Sequence, residues 1–301
     1  MHSVHSEIAN QINVIQLQDL QRQVGGVGVI RGITAHVQPG DVVALLGKNG
    51  AGKTTLLETI LGFGLPAYGS ASLWGVKAAD IGGTIKQRIG FVPQRDELLS
   101  GLSGWQHLEM FRSFRTSWNE DLVQKLVIQW LIPMETRVAA MSVGQRQKLS
   151  ILLAFAHEPE LLVLDEPVAS LDPIARRQFL QQLIEIASDE QRTIIFSTHI
   201  VSDVERVANK VWMLSDGRLH YQGDLDHLKE SVVRVSILAE QPLPRSLGLP
   251  DTIRSSVQDK RATVSLMDWH PQLKAQLEQQ FNAQVEVENL SLEDIFMELG
   301  Q

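Results

Sequence analysis

"LLGKNGAGKTT", Leu45 to Thr55, sets a run of glycines and Lys53 between an apolar stretch and the helical pattern "TTLLETIL". Gly47, Gly52, Lys53 and Thr54 fit the spacing G-x-x-x-x-G-K-[ST]. Glycines at those places let backbone N–H groups close around phosphate oxygens, and the helix that follows adds its positive N-terminal end. Lys53 then reaches β- and γ-phosphates, and the Thr54 hydroxyl reaches a magnesium ion. A glycine turn without a ligand is the competing reading, so the rest of the chain has to decide.

The bulk properties narrow the choice. The 301 residues are 44% hydrophobic and 21% charged, which suits one large domain and a smaller one. A formal net charge of -8 argues against a nucleic acid as the main ligand, because phosphate neutralisation needs a basic surface. With no cysteine there are no disulfides and no thiolate metal sites, which is compatible with a reducing cytosol. The opening "MHSVHSEIANQINVIQ" lacks the basic and apolar regions of a secretion signal. No stretch reaches the roughly 18 to 20 unbroken apolar residues of a spanning helix, so if the chain acts at a membrane another chain has to provide the passage.

Four short runs are apolar throughout: "VVALL" (42–46), "LLVL" (161–164), "TIIFS" (193–197) and "VWML" (211–214). Such strands belong in a parallel sheet covered on both faces, and helical patterns lie between them, giving an α/β class. The clearest helix runs from Ile174 to Ser188, with Asp172 as N-cap, Pro173 at the first helical position, and Phe179, Leu180, Leu183, Ile184 and Ala187 on one face. From about 96 to 159 helical spacing dominates and predicts a helical subdomain inserted in the sheet domain. Beyond it, "VVRVSILAE", "RATVSLM" and "AQVEVE" read as strands, with helices near 270–281 and 291–299 and a loop at "EQPLPRSLGLPD". The expected division is therefore 12–228 for the nucleotide-handling domain and 229–301 for a small α+β module.

Further motifs cluster around the glycine loop in function. "LLVLDEP" ends a buried strand in two adjacent carboxylates, Asp165 and Glu166. The first suits a magnesium shell and the second can polarise an attacking water; solvated loop acids are the plainer alternative. His199 closes "TIIFST" at the carboxyl end of a strand, where open parallel sheets bind ligands. Gln94 in "IGFVPQ" can touch magnesium and water, or simply cap a strand. Ser142 and Gln145 have capping-box spacing at the head of a helix that also contains Gly144, and such a capped end suits an anion. Asp172 has the same double reading, as N-cap and as part of "SLDP".

Taken in order, "GKNGAGKTT", "FVPQ", "MSVGQRQKL", "LLVLDEP", "ASLD" and "STH" resemble the ATP-binding cassette (ABC) ATPases of ABC transporters over about residues 12–223. They look like that family's Walker A loop, Q-loop, signature, Walker B, D-loop and H-loop. The resemblance implies a P-loop NTPase cassette, with a mostly parallel core, an antiparallel part and the helical insert. It also implies binding of ATP and Mg2+ and hydrolysis of ATP.

In residue terms the resemblance gives Gly47, Lys48, Asn49, Gly50, Ala51, Gly52, Lys53, Thr54, Thr55 and Gln94 to one nucleotide. Thr54, Gln94 and Asp165 go to its metal, and Glu166, His199 and Lys53 to catalysis. Ser142, Gly144 and Gln145 reach the nucleotide of a second cassette in a head-to-tail dimer, and Asp172 lies in the D-loop. Val24 stands where the family usually has an aromatic that stacks on adenine, Val143 replaces a glycine of the signature, and Lys48 replaces a frequent proline.

The tail, "FSTHIVSDVERVANKVWMLSDGRLHYQGDLDHLK" and the closing "LSLEDIFMEL", is similar to ABC-2-type drug and lipid exporters. The implied partner is a membrane permease, which would hold the chain at the inner face of the cell membrane. Trp105, Phe111, Phe114 and Trp118 are either the core of the insert or part of a permease groove. A cassette of DNA repair or translation is the alternative function, without the long coiled coil or second cassette those groups carry.

Overall fold

The computed structural model describes residues 12–188 and 192–299, so most of the segment read as lacking a secretion signal lies outside the described residues. Two compact units emerge, Met1–Ala208 with Leu214–Leu219, and Asn209–Met213 with His220–Gln301.

In the first unit, β1 (Ile15–Val24), β2 (Val27–Val37), β4 (Tyr68–Leu73) and β5 (Val76–Lys77) form an antiparallel sheet in the order β2-β1-β4-β5. Gly25 and Gly26, with φ of 58° and 81°, close the two-residue turn between β1 and β2, where Val24 pairs with Val27. Paired positive φ is what such a turn requires.

β3 (Val42–Leu46), β8 (Thr193–Thr198), β7 (Leu161–Asp165) and β6 (Ile89–Val92) run parallel, side by side in that order. Every residue of β3, β7 and β8 is buried. Their unbroken apolar runs follow from burial on both faces, since a strand with one wet face would alternate. The helices of this unit are α1 (Lys53–Ile60), α2 (Gly83–Gln87), α3 (Gly104–Ser113), α4 (Glu120–Gln129), α5 (Val143–Phe155), α6 (Pro173–Ala187) and α7 (Val201–Val207). Between Asp96 and Pro159 no strand occurs; helices and turns dominate, with one isolated bridge between Ser103 and Arg137, in keeping with the helical spacing of that stretch.

α6 begins on Asp172 with Pro173 first, as its sequence predicts. Its buried stripe is Ala175, Phe179, Leu180, Gln182, Leu183 and Ile186, whereas Ile184 is exposed and Ala187 only half-buried. At 100° per residue Ile184 lies well round from the line through 179, 183 and 186, so its apolar side chain faces outward.

β9 (Lys210–Ser215) and β10 (Arg218–Asp224) give Leu214–Leu219 to the first unit and their remaining residues to the second. The second unit continues with α8 (Leu225–Ser231), β11 (Val233–Ala239), β12 (Thr252–Gln258), β13 (Arg261–Leu266), α9 (Gln272–Phe281), β14 (Ala283–Asn289) and α10 (Leu292–Leu299). Its sheet is antiparallel in the order β12-β13-β11-β14. The alternation of β11 puts Val233, Val235 and Ile237 into a core with Val264, Leu266, Leu277 and Val285. β12 and α8 had no counterpart in the sequence reading; β12 is an edge strand whose residues are mostly exposed and polar, which erases the hydrophobic signal.

Candidate functional site

The carboxyl ends of β3, β7 and β8 bring the glycine loop, the two carboxylates and His199 to one sheet edge. The loop owes its close packing to missing side chains. A Cβ on Gly47 would stand 2.6 Å from the Leu214 carbonyl oxygen. Gly52, the residue before α1, has φ of 106° and would place a Cβ 3.1 Å from Ile30 Cδ1. Lys53 then enters α1 with its ammonium folded back inside the loop, where Nζ donates to Gly47 O at 2.7 Å and to Lys48 O at 3.3 Å. Ala51 is buried, while Lys48, Asn49 and Gly50 are exposed.

Glu166 faces this ammonium. Its Oε1 is 3.1 Å from Lys53 Nζ, and both side chains are almost wholly buried, at 4% and 6% exposure. The pair is close but not aligned as a hydrogen bond, which leaves Oε1 without a directed donor. The other oxygen, Oε2, lies 2.9 Å from Nδ1 of His199, a half-exposed ring. One carboxylate thus meets a fixed cation on one side and an imidazole on the other.

Two adjoining clefts open on the same groups. One, of about 220 Å³, is lined by Asn49, Gly50, Gly52, Lys53, Thr54, Thr55, Gln94 and Glu166, with Val29 of β2 on its wall. The next, of about 390 Å³, has Thr54, Gln94 and Asp165 among its lining residues. The three residues read as metal ligands therefore share a cavity, although their strands and loops are far apart in the chain. Val24 is half exposed at the β1–β2 turn.

Ser142, Gly144 and Gln145 are not in these clefts. Ser142 caps α5: its hydroxyl accepts the Gln145 N–H at 3.2 Å, and the Gln145 side chain accepts the Ser142 N–H at 2.8 Å. The capping box read from the sequence is present in full. A Cβ on Gly144 would lie 3.2 Å from Ser170 O, so this helix end approaches the "ASLD" loop of its own chain. Asp172 accepts from the N–H groups of Ala175 and Ile174 at 3.0 and 2.9 Å. These bonds, with Ala175 first, hold its carboxyl below the usual carboxylate range.

Ser197 is the residue that sequence reasoning passed over, as the last letter of an apolar strand. It is fully buried in register with Asp165, and it bonds to both members of the carboxylate pair. A hydroxyl near the end of a fully buried strand, two residues before His199, was the available signal.

Of the four rings read as either the core of the helical insert or part of a permease groove, none is buried. Trp105 and Phe114 are exposed, Trp118 is half-buried, and of the four only Phe111 lines a cleft of about 300 Å³. That cleft is built instead with Leu61, Phe63, Ile81, Phe91 and Leu153. Phe63 and Phe91 meet in a tilted pair with centroids 5.4 Å apart.

Comparison with known proteins agrees with this geometry. The ABC transporter family matches residues 30–169. The bacitracin transport ATP-binding protein BcrA of Enterococcus faecalis is 31% identical over 217 residues, covering 71% of this chain and 70% of that protein. The Nod factor export ATP-binding protein I of Cupriavidus metallidurans is 30% identical over 230 residues, covering 75% of this chain and 76% of that one. A solved ATP binding subunit of an ABC transporter is similar with a TM-score of 0.64 and 30% identity, over 72% of this chain and 92% of its own. The chain belongs to the ATP-binding proteins of the ABC transporter family.

Proposed function

We propose that Glu166 is the general base of ATP hydrolysis in this ABC transporter ATPase, with Lys53 on the β- and γ-phosphates and His199 beside the reacting centre. The observation that carries the reading is the buried Lys53–Glu166 pair at the mouth of the glycine loop, with His199 on the second carboxylate oxygen. Hydrolysis breaks the bond between the γ-phosphorus and the β–γ bridging oxygen while water attacks in line. Glu166 takes the proton of that water, and Lys53 balances charge on the phosphate oxygens. Thr54, Gln94 and Asp165 offer a hydroxyl, an amide oxygen and a carboxylate, a hard donor set that suits magnesium when the remaining positions go to phosphate and water. When bound, the magnesium neutralises charge on the phosphates. Gly47, Lys48, Asn49, Gly50, Ala51, Gly52 and Thr55 complete the phosphate cradle.

Ser142, Gly144 and Gln145 serve the nucleotide of a second cassette in a homodimer. Their capped helix end lies outside the clefts that Lys53 lines, which supports a role across an interface. Asp172 belongs to the same interface. Residues 12–228 make up the cassette, with the helical subdomain at 96–159, and 229–301 the accessory module; the separate core around Val235 and Val264 favours that division.

The partner is a membrane permease, docked at the cleft lined by Phe63, Phe91 and Phe111, which holds the cassette at the inner face of the membrane. No helix among the described residues is long and apolar enough to cross a membrane. Export is the favoured direction, from the similarity to bacitracin transport and Nod factor export proteins. The relatives favour transport over repair or translation. Cross-linking in membranes, followed by identification of the captured chain, tests the partner. A permease supports the reading, whereas a ribosomal or DNA-repair partner overturns it.

A further inference from the structure

Asp165 and Ser197 are opposite one another in the parallel pair β7–β8. The Ser197 hydroxyl is fully buried there and makes two bonds. Its oxygen accepts the backbone N–H of Glu166 at 2.8 Å, and its proton goes to Asp165 Oδ1 at 2.5 Å. The backbone N–H can only donate, so the serine oxygen accepts from it and turns its own hydrogen to the Asp165 carboxyl oxygen.

Each bond constrains a different member of the carboxylate pair. The first ties the backbone of Glu166, whose φ of 48° lies in the left-handed region that side-chain-bearing residues seldom occupy. Such conformations persist only where the surroundings over-determine them. From that backbone the side chain is placed between Lys53 and His199. The second bond occupies Oδ1 of Asp165 and leaves Oδ2 as the oxygen free for the cleft shared with Thr54 and Gln94.

We propose that Ser197 is a positioning residue for hydrolysis, one buried hydroxyl that sets both the metal-facing oxygen of Asp165 and the backbone of Glu166. The inference rests on the reading of Asp165 and Glu166 given above. Ser197 acts through these two residues and touches no substrate. A merely structural hydroxyl would satisfy the Glu166 N–H and affect stability alone. A positioning hydroxyl also changes how strongly magnesium is used, since groups that orient metal ligands typically cost 10- to 100-fold in metal affinity or activity when removed.

The test compares the full chain of native sequence with Ser197→Ala, Ser197→Thr and Lys53→Ala. ATP affinity is measured in EDTA and in excess magnesium, and turnover is measured across a magnesium titration. Ser197→Ala is expected to keep its ATP affinity in EDTA and to lose most of the gain that magnesium brings. Its half-saturating magnesium concentration should rise about tenfold and its kcat fall about 10- to 100-fold. Ser197→Thr keeps the hydroxyl and should recover most of both. A Ser197→Ala protein with the native magnesium requirement and kcat overturns the proposal. That variant removes one oxygen and adds nothing, so its magnesium titration decides the matter even if threonine proves too bulky for the strand. Failure of the site reading looks different: the native chain would then bind ATP no better than Lys53→Ala.

Discussion

Lys53 Nζ stands 3.1 Å from Glu166 Oε1, with both side chains shut away from solvent. A lysine holding a β- or γ-phosphate at that place has to share its charge between phosphate and carboxylate. Nucleotide binding is therefore coupled to the freedom of Glu166, and the two residues act as a unit. Lys53→Ala should lower ATP affinity or turnover by roughly 10²-fold or more, the usual effect of removing one fixed donor from a buried anion site. Titration with a fluorescent ATP analogue, together with phosphate release, checks it; activity near that of the native chain would sink the loop assignment.

His199 meets the other oxygen of the same carboxylate at 2.9 Å. Its replacement by alanine should lower kcat by about 10²- to 10³-fold with little change in ATP affinity, because the ring contacts the base and not the phosphate cradle. Steady-state kinetics beside equilibrium binding separates the two effects. A change confined to affinity would move His199 from chemistry to binding.

Helices α6 and α7 are tied together through another buried carboxylate. Asp203, in the first turn of α7, accepts two bonds from Arg176 of α6 at 3.0 and 2.6 Å, and only 2% of its side chain is exposed. Arg176→Met leaves that charge without its partner and should cost about 3 kcal/mol, at the low end for a broken buried pair because Arg176 is partly exposed. The double variant Arg176→Met/Asp203→Leu should recover a good part of the loss, which denaturant titration can measure. Additive losses would show that the two side chains do not depend on each other.

Burial pushes the His157 imidazole down to about 4, helped by the positive charge of Arg115. Its Nε2 donates to Ile89 O at 3.0 Å, which sets the tautomer and opposes part of that shift. Above pH about 6.5 the ring is neutral whether the chain is folded or not, so it adds no pH dependence there. Between about 6.5 and 4 the unfolded chain takes up a proton that the folded chain refuses, and stability falls as pH falls, by on the order of 3 kcal/mol. His157→Gln should flatten that slope in denaturant midpoints taken between pH 7 and 4. An unchanged slope would assign it to other groups.

Much of this site was legible because its chemistry is local. Gly47 and Gly52 sit in one contiguous motif with Lys53, although the atoms that crowd them, Leu214 O and Ile30 Cδ1, come from distant parts of the chain. Ser142 and Gln145 form a capping box within one helical turn. Asp172 and Pro173 announce α6 in the same way. What escaped depends on register. The bond from Ser197 to Asp165 joins positions 32 apart, and only the pairing of β7 with β8 puts them face to face. The apolar cleft was only partly legible for a similar reason, since Phe111 belongs to the helical insert but Phe63 and Phe91 come from outside it. Periodicity also blurred at Ile184, an exposed apolar residue on a helix whose buried stripe runs past it.

The central claim is that Glu166 is the base. It is tested most directly with Glu166→Gln, which keeps the shape of the side chain and removes its charge. Single-turnover hydrolysis and the oligomeric state are measured together in magnesium and ATP. The expected result is ATP binding at least as tight as native, hydrolysis slowed by about 10²-fold or more, and a long-lived ATP-bound dimer. Hydrolysis by Glu166→Gln at the native rate would contradict the account.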